Sequence, residues 1–184
     1  MTASTSITIR GTPKNKRPQN TPERKPVAQP RRLWSYQMNL NVKIKRLHPT
    51  VTMPAYASEA AAGMDLHAAI DEPTVIPAHS RVRIPCGFAI APERNDIAAL
   101  LFARSGLAHK KGLAPSNAVG VVDADYRGEV MVSVSNTSDE DYIMQPDERF
   151  AQMVFVPVYT AALTEVDDLD ETERGAGGFG STGV

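Results

Sequence analysis

Apolar and polar residues alternate with a period of two along most of the chain after Asn41. The alternation is visible at 42–45, continues through 82–90, and returns at 130–134 and 154–158. Because successive side chains of a β-strand point to opposite faces, this period is typical of half-buried strands and not of helices.

Turn-forming residues separate these alternating stretches at short intervals. Proline, asparagine and aspartate fall at positions 73, 77, 92, 95–96, 136 and 146–147. Many short strands with frequent turns predict an all-β fold, either a barrel or a sandwich. One short helix is predicted over 105–110, where Ser105 is a typical capping residue.

The first 37 residues have a different composition from the rest of the chain. They contain five of the 14 prolines and eight basic residues against Glu23 alone, a net charge of +7 in a chain whose net charge is −1. With almost no large apolar side chains, this segment cannot bury enough surface to offset the entropy of ordering, so we expect disorder. Its function stays open between a basic arm that contacts nucleic acid weakly and an inert extension.

We therefore expect three segments in the 184 residues: a disordered basic extension over 1–37, a folded β-domain over 38–164, and a flexible arm over 165–184. The arm is acidic as far as Arg174 and then consists mostly of glycine, serine and threonine. In a small domain such an arm is either without function or a lid. Translation from Met1 or from Met38 is equally compatible with this division.

The composition limits which cellular compartments and which cofactors are expected. A single cysteine, Cys86, excludes an intrachain disulfide and favours a reducing compartment. No apolar run of about 18 residues is present, so we expect no membrane span or membrane partner. The cytoplasm is the expected location, with an organellar presequence left open. Four histidines without CxxC or HExxH spacing argue against a zinc site.

Two short motifs contain residue types that commonly bind ligands. Arg104-Ser105-Gly106 lies at the predicted strand-to-helix turn, which is either an anion site or an ordinary capped turn. Asp65 in AGMDL is either a turn residue or a metal ligand, directly or through water. Gln152 in ERFAQ opens the last long strand, where a lone glutamine is usually structural.

A third motif, GVVDADYRGE, lies between two apolar strands. Asp123 closes the first of these strands, so it is either a turn aspartate or a carboxylate placed as a general base. Upstream of the motif, the amide of Asn117 can both donate to and accept from the edge of a nucleobase.

The glycine-rich C-terminus fits the spacing GxGxxG at Gly175, Gly177 and Gly180. A dinucleotide-binding loop needs a strand before this motif and a helix after it, and a Walker loop needs a lysine, so both are excluded. Two interpretations remain, plain disorder and a chain of backbone N–H groups that wraps an anion. In the second, Arg174 adds a charge and Phe179 stacks on a planar ring.

Five motifs thus follow one another along a β-rich chain: AGMDL, ARSGL, GVVDADYRGE, ERFAQ and RGAGGFGSTG. On these motifs the chain resembles the trimeric deoxyuridine triphosphate nucleotidohydrolases, the dUTPases, over about residues 40–184. Ala103 and Phe150 depart from the family pattern, where proline and an aliphatic residue are common, and both are interpreted as packing differences. The first 37 residues lie outside the resemblance.

The resemblance implies a distorted, jelly-roll-like β-barrel with one short helix, assembled as a homotrimer with active sites at the subunit interfaces. In such proteins different subunits supply the third motif, the arm, and the set formed by the first, second and fourth motifs. The implied reaction is Mg²⁺-assisted hydrolysis of dUTP to dUMP and pyrophosphate. This reaction limits uracil incorporation into DNA and supplies dUMP for dTMP synthesis.

The resemblance also implies roles for individual residues. Asp123 activates the water that attacks the α-phosphorus, Gln152 supports that water, and Asp65 holds Mg²⁺ through a water molecule. The residues implied to bind substrate are Arg104, Ser105, Gly106, Asn117, Gly120, Val121, Val122, Tyr126, Met131, Arg149, Arg174, Gly178, Phe179, Gly180, Ser181 and Thr182. In this assignment Tyr126 lies under the deoxyribose and Phe179 stacks on the uracil.

Two alternatives stay open. A dCTP deaminase of the same fold shares the barrel and the arginine-serine turn, but it is expected to lack the DADYRGE run and the full glycine-rich arm. A regulatory or nucleic-acid-binding relative without catalysis is the other, although Asp65, Arg104, Asp123 and Phe179 are all present.

Overall fold

The computed structural model describes residues 39–178. Within this range the chain forms twelve strands and one helix. In chain order they are β1 (Val42–Arg46), β2 (Ala55–Tyr56), β3 (Met64–His67), β4 (Thr74–Ile76), β5 (Arg81–Pro85), β6 (Phe88–Pro92), β7 (Ile97–Ala103), α1 (Ser105–Lys111), β8 (Leu113–Pro115), β9 (Gly120–Val122), β10 (Met131–Asn136), β11 (Tyr142–Met144) and β12 (Arg149–Pro157). The predicted all-β class is confirmed.

The strands are distributed over four antiparallel sheets. The largest has the order β2-β3-β12-β7-β9, and the pairing of β12 with β7 extends from Ala151 opposite Ala103 to Pro157 opposite Ile97. The other sheets pair β1 with β6, β10 with both β5 and β8, and β4 with β11. This arrangement, with one short helix, agrees with the expected distorted jelly roll.

One hydrophobic core is shared by strands of all four sheets. Leu66 on β3, Ile76 on β4, Ile84 on β5, Phe88 on β6 and Met153 on β12 are all fully buried in it. Burying a side chain of this size contributes about 1.5–3 kcal/mol. Because every sheet contributes to this core, packing fixes where the strand ends lie relative to one another.

Cys86 lies in this core as a free thiol. Burial raises its pKa, and the neighbouring carboxylate of Glu129 raises it further. The thiol therefore stays protonated and unreactive at neutral pH. Over residues 39–178, no helix is long and apolar enough to cross a membrane.

A tight turn divides the alternating stretch 82–90 between two strands. β5 ends at Pro85 and pairs with β10, whereas β6 begins at Phe88 and pairs with β1. Gly87 makes the turn with φ of 72°, and a β-carbon there would lie 2.6 Å from Val51 Cγ1. Only glycine fits this backbone and this space, so a single residue marks the strand boundary.

The predicted helix over 105–110 is present as α1, but the predicted capping by Ser105 is wrong. Arg104 is the N-cap residue, with φ of −82° and ψ of 127°, and no side chain makes a capping hydrogen bond at this helix. The chain stays extended from β7 through Arg104, so Ser105 is already the first helical residue. Gly112 ends the helix in the left-handed conformation, with φ of 66°.

After β12, residues 158–178 contain no helix or strand. Two large apolar side chains of this stretch are almost fully accessible, Tyr159 at 101% and Leu163 at 93%. Single exposed apolar side chains are common on protein surfaces, so this exposure by itself assigns no function to the stretch.

Candidate active site

Asp65 lies between two arginines. Its Oδ1 accepts a hydrogen bond from Arg104 Nε at 3.0 Å, and its Oδ2 accepts one from Arg149 Nη1 at 3.1 Å. Arg104 Nη1 also donates to the backbone carbonyl of Arg149 at 3.0 Å. Charge-assisted hydrogen bonds of this kind orient the side chains that form them, so the three residues form one connected cluster.

Strand register brings these residues together although they are far apart in the sequence. On β12, Gln152 pairs with Asp65 on β3 and with Phe102 on β7. Gln152 Nε2 donates to the carbonyl of Ala103 at 3.0 Å, and a β-carbon at Gly63 would lie 3.3 Å from Gln152 Oε1. The glycine therefore leaves the space in which the glutamine amide is held.

These side chains line an open cleft of about 400 Å³, called the arginine cleft below. Its lining residues are Ala57, Ala61, Ala62, Gly63, Asp65, Arg104, Ser105, Gly106, Arg149 and Gln152. Two arginines against one aspartate leave a net positive charge. A β-carbon at Gly106 would meet nothing within 4 Å, so protein packing does not require glycine there. The open space lets an anionic ligand approach the backbone.

A turn immediately before β12 positions Arg149. Asp147 has φ of 57°, and its carboxylate accepts hydrogen bonds from the Thr52 backbone N–H at 2.8 Å and hydroxyl at 2.7 Å. Desolvation acts to raise the pKa of Asp147, but the Thr52 hydrogen bonds and the adjacent His67 bring it below its ordinary value. These contacts hold the backbone at the point where it enters β12.

A second cleft, of about 310 Å³, lies beside β9 and β10 and is called the aspartate cleft below. It is lined by Arg83, Val121, Val122, Asp123, Tyr126, Glu129, Val130 and Met131. Val121, Tyr126 and Met131 remain 61%, 46% and 39% exposed. Open apolar surface next to a carboxylate suits a flat ligand with polar edges.

The loop after β9 is held by its own hydrogen bonds. The Tyr126 hydroxyl donates to the carbonyl of Glu129 at 3.1 Å, and Arg127 Nη1 donates to the carbonyl of Ala124 at 2.7 Å. A β-carbon at Gly128 would overlap the phenol ring of Tyr126. The loop that begins at Asp123 thus has a defined conformation.

The two clefts lie at opposite ends of β7. Val122 pairs with Ala99, so Asp123 lies beside Ala98 near the start of β7, whereas Arg104 follows its last residue. Extended chain rises about 3.3 Å per residue, and the six steps from 98 to 104 therefore separate these positions by about 20 Å. At this separation the two side chains of one chain do not reach the same phosphate group.

The structure brings the predicted site residues together in two separate groups. The arginine cleft contains Asp65, Arg104, Ser105, Gly106, Arg149 and Gln152, and the aspartate cleft contains Val121, Val122, Asp123, Tyr126 and Met131. Asn117 and Gly120 line neither cleft. Asn117 is exposed in the turn before β9, and a β-carbon at Gly120 would lie 3.1 Å from Leu101 Cβ.

The C-terminal site residues are only partly described. Arg174 Nε donates to the carbonyl of Gly177 at 2.8 Å, and Gly178 is exposed. Phe179, Gly180, Ser181 and Thr182 lie outside the described residues, as does the basic segment 1–37. Their roles, including the weak nucleic-acid contact, stay predictions.

Asp65 is the single carboxylate in the lining of the arginine cleft. Across 39–178, no group of three or more histidine, cysteine, aspartate or glutamate side chains could hold a metal ion. In nucleotide sites Mg²⁺ usually keeps several waters and takes its other ligands from one or two carboxylates and from phosphates. One carboxylate beside a positively charged surface fits that kind of coordination.

Sequence reasoning missed several residues that line the clefts, among them Arg83, Ala57 and Ala61. Arg83 on β5 lines the aspartate cleft because β5 pairs with β10, where Arg83 is opposite Ser133. Ala57 and Ala61, from the loop after β2, line the arginine cleft. Their places depend on long-range strand pairing, which local periodicity does not encode.

Comparison with known proteins of similar sequence and fold identifies a single family. A family model described as dUTPase matches residues 50–183. A deoxyuridine 5'-triphosphate nucleotidohydrolase of Desulfitobacterium hafniense (strain DSM 10664 / DCB-2) is 50% identical over 132 residues, 72% of this chain and 87% of the relative. The enzyme of the same name from Hahella chejuensis (strain KCTC 2396) is 48% identical over 140 residues, 76% of this chain and 92% of the relative. A solved structure of the Staphylococcus bacteriophage 80alpha dUTPase with dUPNHPP is 27% identical, with a TM-score of 0.71 over 78% of this chain and 99% of the phage chain.

Proposed function

Because the chain belongs to the dUTPase family, we propose that it hydrolyses dUTP to dUMP and pyrophosphate in a homotrimer whose subunits share each active site. The observation that carries the proposal is the placement of the two clefts at opposite ends of β7. One cleft collects arginines, and the other combines a carboxylate with apolar surface. A neighbouring copy that brings its aspartate cleft to the arginine cleft of this chain offers a nucleotide both sets of contacts.

The arginine cleft is proposed to hold the triphosphate. Arg104 and Arg149 offer guanidinium groups to phosphate oxygens, and Ser105 and Gly106 offer a hydroxyl and an unobstructed backbone. Asp65 orients both arginines and is the residue that would hold Mg²⁺ through a water molecule. When bound, the ion neutralises negative charge on the phosphate chain.

The aspartate cleft is proposed to hold uracil and deoxyribose. Val121, Val122 and Met131 of this cleft are proposed to contact the uracil, and Asn117 and Gly120, which lie outside the cleft lining, to complete the pocket. Tyr126 is proposed to pack under the sugar, where it leaves no space for a 2′-hydroxyl. Cytosine would leave buried polar groups of such a pocket unpaired, which costs roughly 10⁴–10⁵ in specificity. Thymine has the same polar edge as uracil, so it must be excluded by crowding at its 5-methyl group.

Asp123 is proposed as the general base. Its carboxylate takes a proton from a water that Gln152 of a neighbouring copy helps to position, while the water oxygen attacks the α-phosphorus and the bond to pyrophosphate breaks. Such a displacement needs little covalent participation by the protein. A positioned water, a base, and cations near the leaving group supply most of the rate enhancement.

The C-terminal arm, residues 165–184, is proposed to close over the bound nucleotide. Arg174 adds a phosphate contact, residues 178–182 wrap the phosphate chain, and Phe179 stacks on the uracil. Closure excludes bulk water from the reacting phosphorus. In this proposal the β-domain over 38–164 carries both clefts, and the reaction limits uracil incorporation into DNA while it supplies dUMP for dTMP synthesis.

Pyrophosphate release by the purified protein tests the proposed reaction. We expect release from dUTP in the presence of Mg²⁺, much less without Mg²⁺, and little from dCTP. Ammonia release from dCTP would instead indicate a deaminase. If neither nucleotide reacts when Mg²⁺ is supplied, hydrolysis is refuted and a role without catalysis is favoured.

A further inference from the structure

Arg83 has no place in the reaction described so far, yet it lines the aspartate cleft together with Asp123, Tyr126 and Met131. We propose that Arg83 binds the α-phosphate of the nucleotide in that cleft. The assignment rests on the proposed function, because it takes the nucleoside half of dUTP to lie there.

Strand pairing directs the Arg83 side chain towards the cleft. Arg83 pairs with Ser133 on β10, and Pro85 pairs with Met131. Paired residues have their side chains on the same face of a sheet, and diagonal neighbours lie about 7 Å apart. Ile84 between them is 0% exposed in the core. Because adjacent side chains alternate between faces, Arg83 extends on the solvent side beside Met131.

The guanidinium of Arg83 is available to a ligand. The arginine–carboxylate ion pairs within the described range 39–178 involve Arg94, Arg104 and Arg149. Glu129, which also lines the aspartate cleft, accepts a hydrogen bond from the Gly87 N–H at 2.9 Å. One oxygen of the neighbouring carboxylate is thus engaged with the backbone, and within 39–178 no ion pair of Arg83 with this carboxylate is formed, so its donors can bind an anion.

The chemistry of the substrate gives this cation a role. dUTP carries several negative charges, and its α-phosphate must approach the carboxylate of Asp123, which repels it. Among the lining residues of the aspartate cleft, Arg83 is the one cation, against Asp123 and Glu129. The α-phosphate is attached to the deoxyribose, so it is the anionic group nearest to this cleft. The β- and γ-phosphates extend towards the arginine cleft of the neighbouring copy.

Two substitutions and a matched control test the assignment. Arg83→Leu removes the cation and keeps an aliphatic side chain, whereas Arg83→Lys keeps a positive charge. Arg81→Leu is the control, because Arg81 lies on the same strand and is also exposed but lines a different cavity, with His79 and Ser135. Isothermal titration measures the binding of dUMP and of deoxyuridine, and steady-state assays measure KM and kcat for dUTP.

We expect Arg83→Leu to weaken dUMP binding about tenfold, equivalent to about 1.4 kcal/mol. The KM for dUTP should rise by a similar factor while kcat stays within about twofold, the signature of lost ground-state binding. Deoxyuridine, which lacks the phosphate, should bind as before, Arg83→Lys should recover part of the loss, and Arg81→Leu should behave as wild type.

Equal losses of dUMP and deoxyuridine affinity, or no loss of either, would overturn the assignment. If Arg83→Leu fails to fold by circular dichroism, Arg83→Lys decides, since it must bind dUMP more weakly than wild type and deoxyuridine equally well. Wild-type protein that leaves dUTP intact refutes the proposed function and this assignment together. An active wild type beside an unaffected Arg83→Leu refutes the assignment alone.

Discussion

Mixing two inactive variants tests the shared active site most directly. Arg104→Gln disables the arginine cleft, and Asp123→Asn disables the aspartate cleft, so each variant alone should lose nearly all activity. A trimer that contains both variants can still combine the intact aspartate cleft of one subunit with the intact arginine cleft of another. Activity should therefore reappear when the two inactive proteins are assembled together.

The separation of the two clefts along β7 determines how much activity mixed trimers should recover. Because about 20 Å of extended strand keeps Arg104 and Asp123 of one chain apart, the proposed arrangement takes the two residues of each site from different subunits. When equal amounts of the two variants assemble at random, the subunit that supplies the aspartate cleft of a site has this cleft intact with a probability of one half. The same probability applies to the subunit that supplies the arginine cleft. About one quarter of the sites are then intact, and activity per subunit should return to about a quarter of wild type.

The assay requires complete exchange of subunits. The variants are unfolded together in denaturant and refolded, and each variant and the wild type are refolded alone as controls. Native mass spectrometry of subunits with different tags verifies mixed trimers, and pyrophosphate release from dUTP measures activity. Verified mixed trimers that stay inactive would refute the reasoning, because they would show that both residues serve the same site from one chain.

Four further predictions concern single residues. Asp123→Asn should lower kcat for dUTP by about 10²–10⁴ with little change in KM, whereas Asp125→Asn, outside the lining of the aspartate cleft, should stay near wild type in the same assay. Gly106→Val should raise the KM for dUTP about tenfold by filling open space in the arginine cleft, and its thermal midpoint should stay within about 2 °C of wild type. Asn136→Leu should lower the free energy of unfolding in urea by about 2–4 kcal/mol, because Asn136 is 1% exposed and donates to two backbone carbonyls at 3.0 and 2.7 Å. The pKa of Asp147 is lower in the folded protein than its ordinary value of 3.8, so its carboxylate contributes stability above that value and loses the contribution as the pH falls through the native pKa. The small difference in thermal midpoint between wild type and Asp147→Asn should therefore shrink below about pH 4, and a constant difference from pH 7 to pH 3 would contradict this account.

The fold class could be predicted because each strand carries its own apolar face. Alternation with a period of two is local, and it needs no knowledge of which strand lies beside which. The boundary inside 82–90 was missed for the same reason, since the alternation persists on both sides of Gly87. The prediction that Ser105 caps the helix was wrong because β7 keeps the chain extended through Arg104. The helix therefore begins at Ser105 itself, one residue earlier than capping by Ser105 would require.

Only the site residues that belong to short sequence motifs could be predicted. Asp65 lies 39 positions from Arg104 and 84 from Arg149, and their hydrogen bonds depend on the register of β3, β12 and β7. Register is set by packing of the buried faces in three dimensions. The residues alone left Asp65 as a turn residue or a ligand, and the order of the five motifs favoured the second. Arg83 belongs to no motif, so only the pairing of β5 with β10 could identify it.

The geometry of β7 gives a physical reason for the shared sites that we propose. One strand connects the arginine cleft to the aspartate cleft, and shortening it enough to join them would remove core residues such as Ala99 and Leu101. Apposing two copies solves the same problem without changing the core. The exposed apolar surface of Val121, Tyr126 and Met131 then faces a neighbour or a nucleotide, where each Å² buried contributes about 25 cal/mol. Under the proposed function, assembly and substrate binding are therefore expected to use the same surface, and the separation of the two clefts along β7 favours a trimer with shared sites.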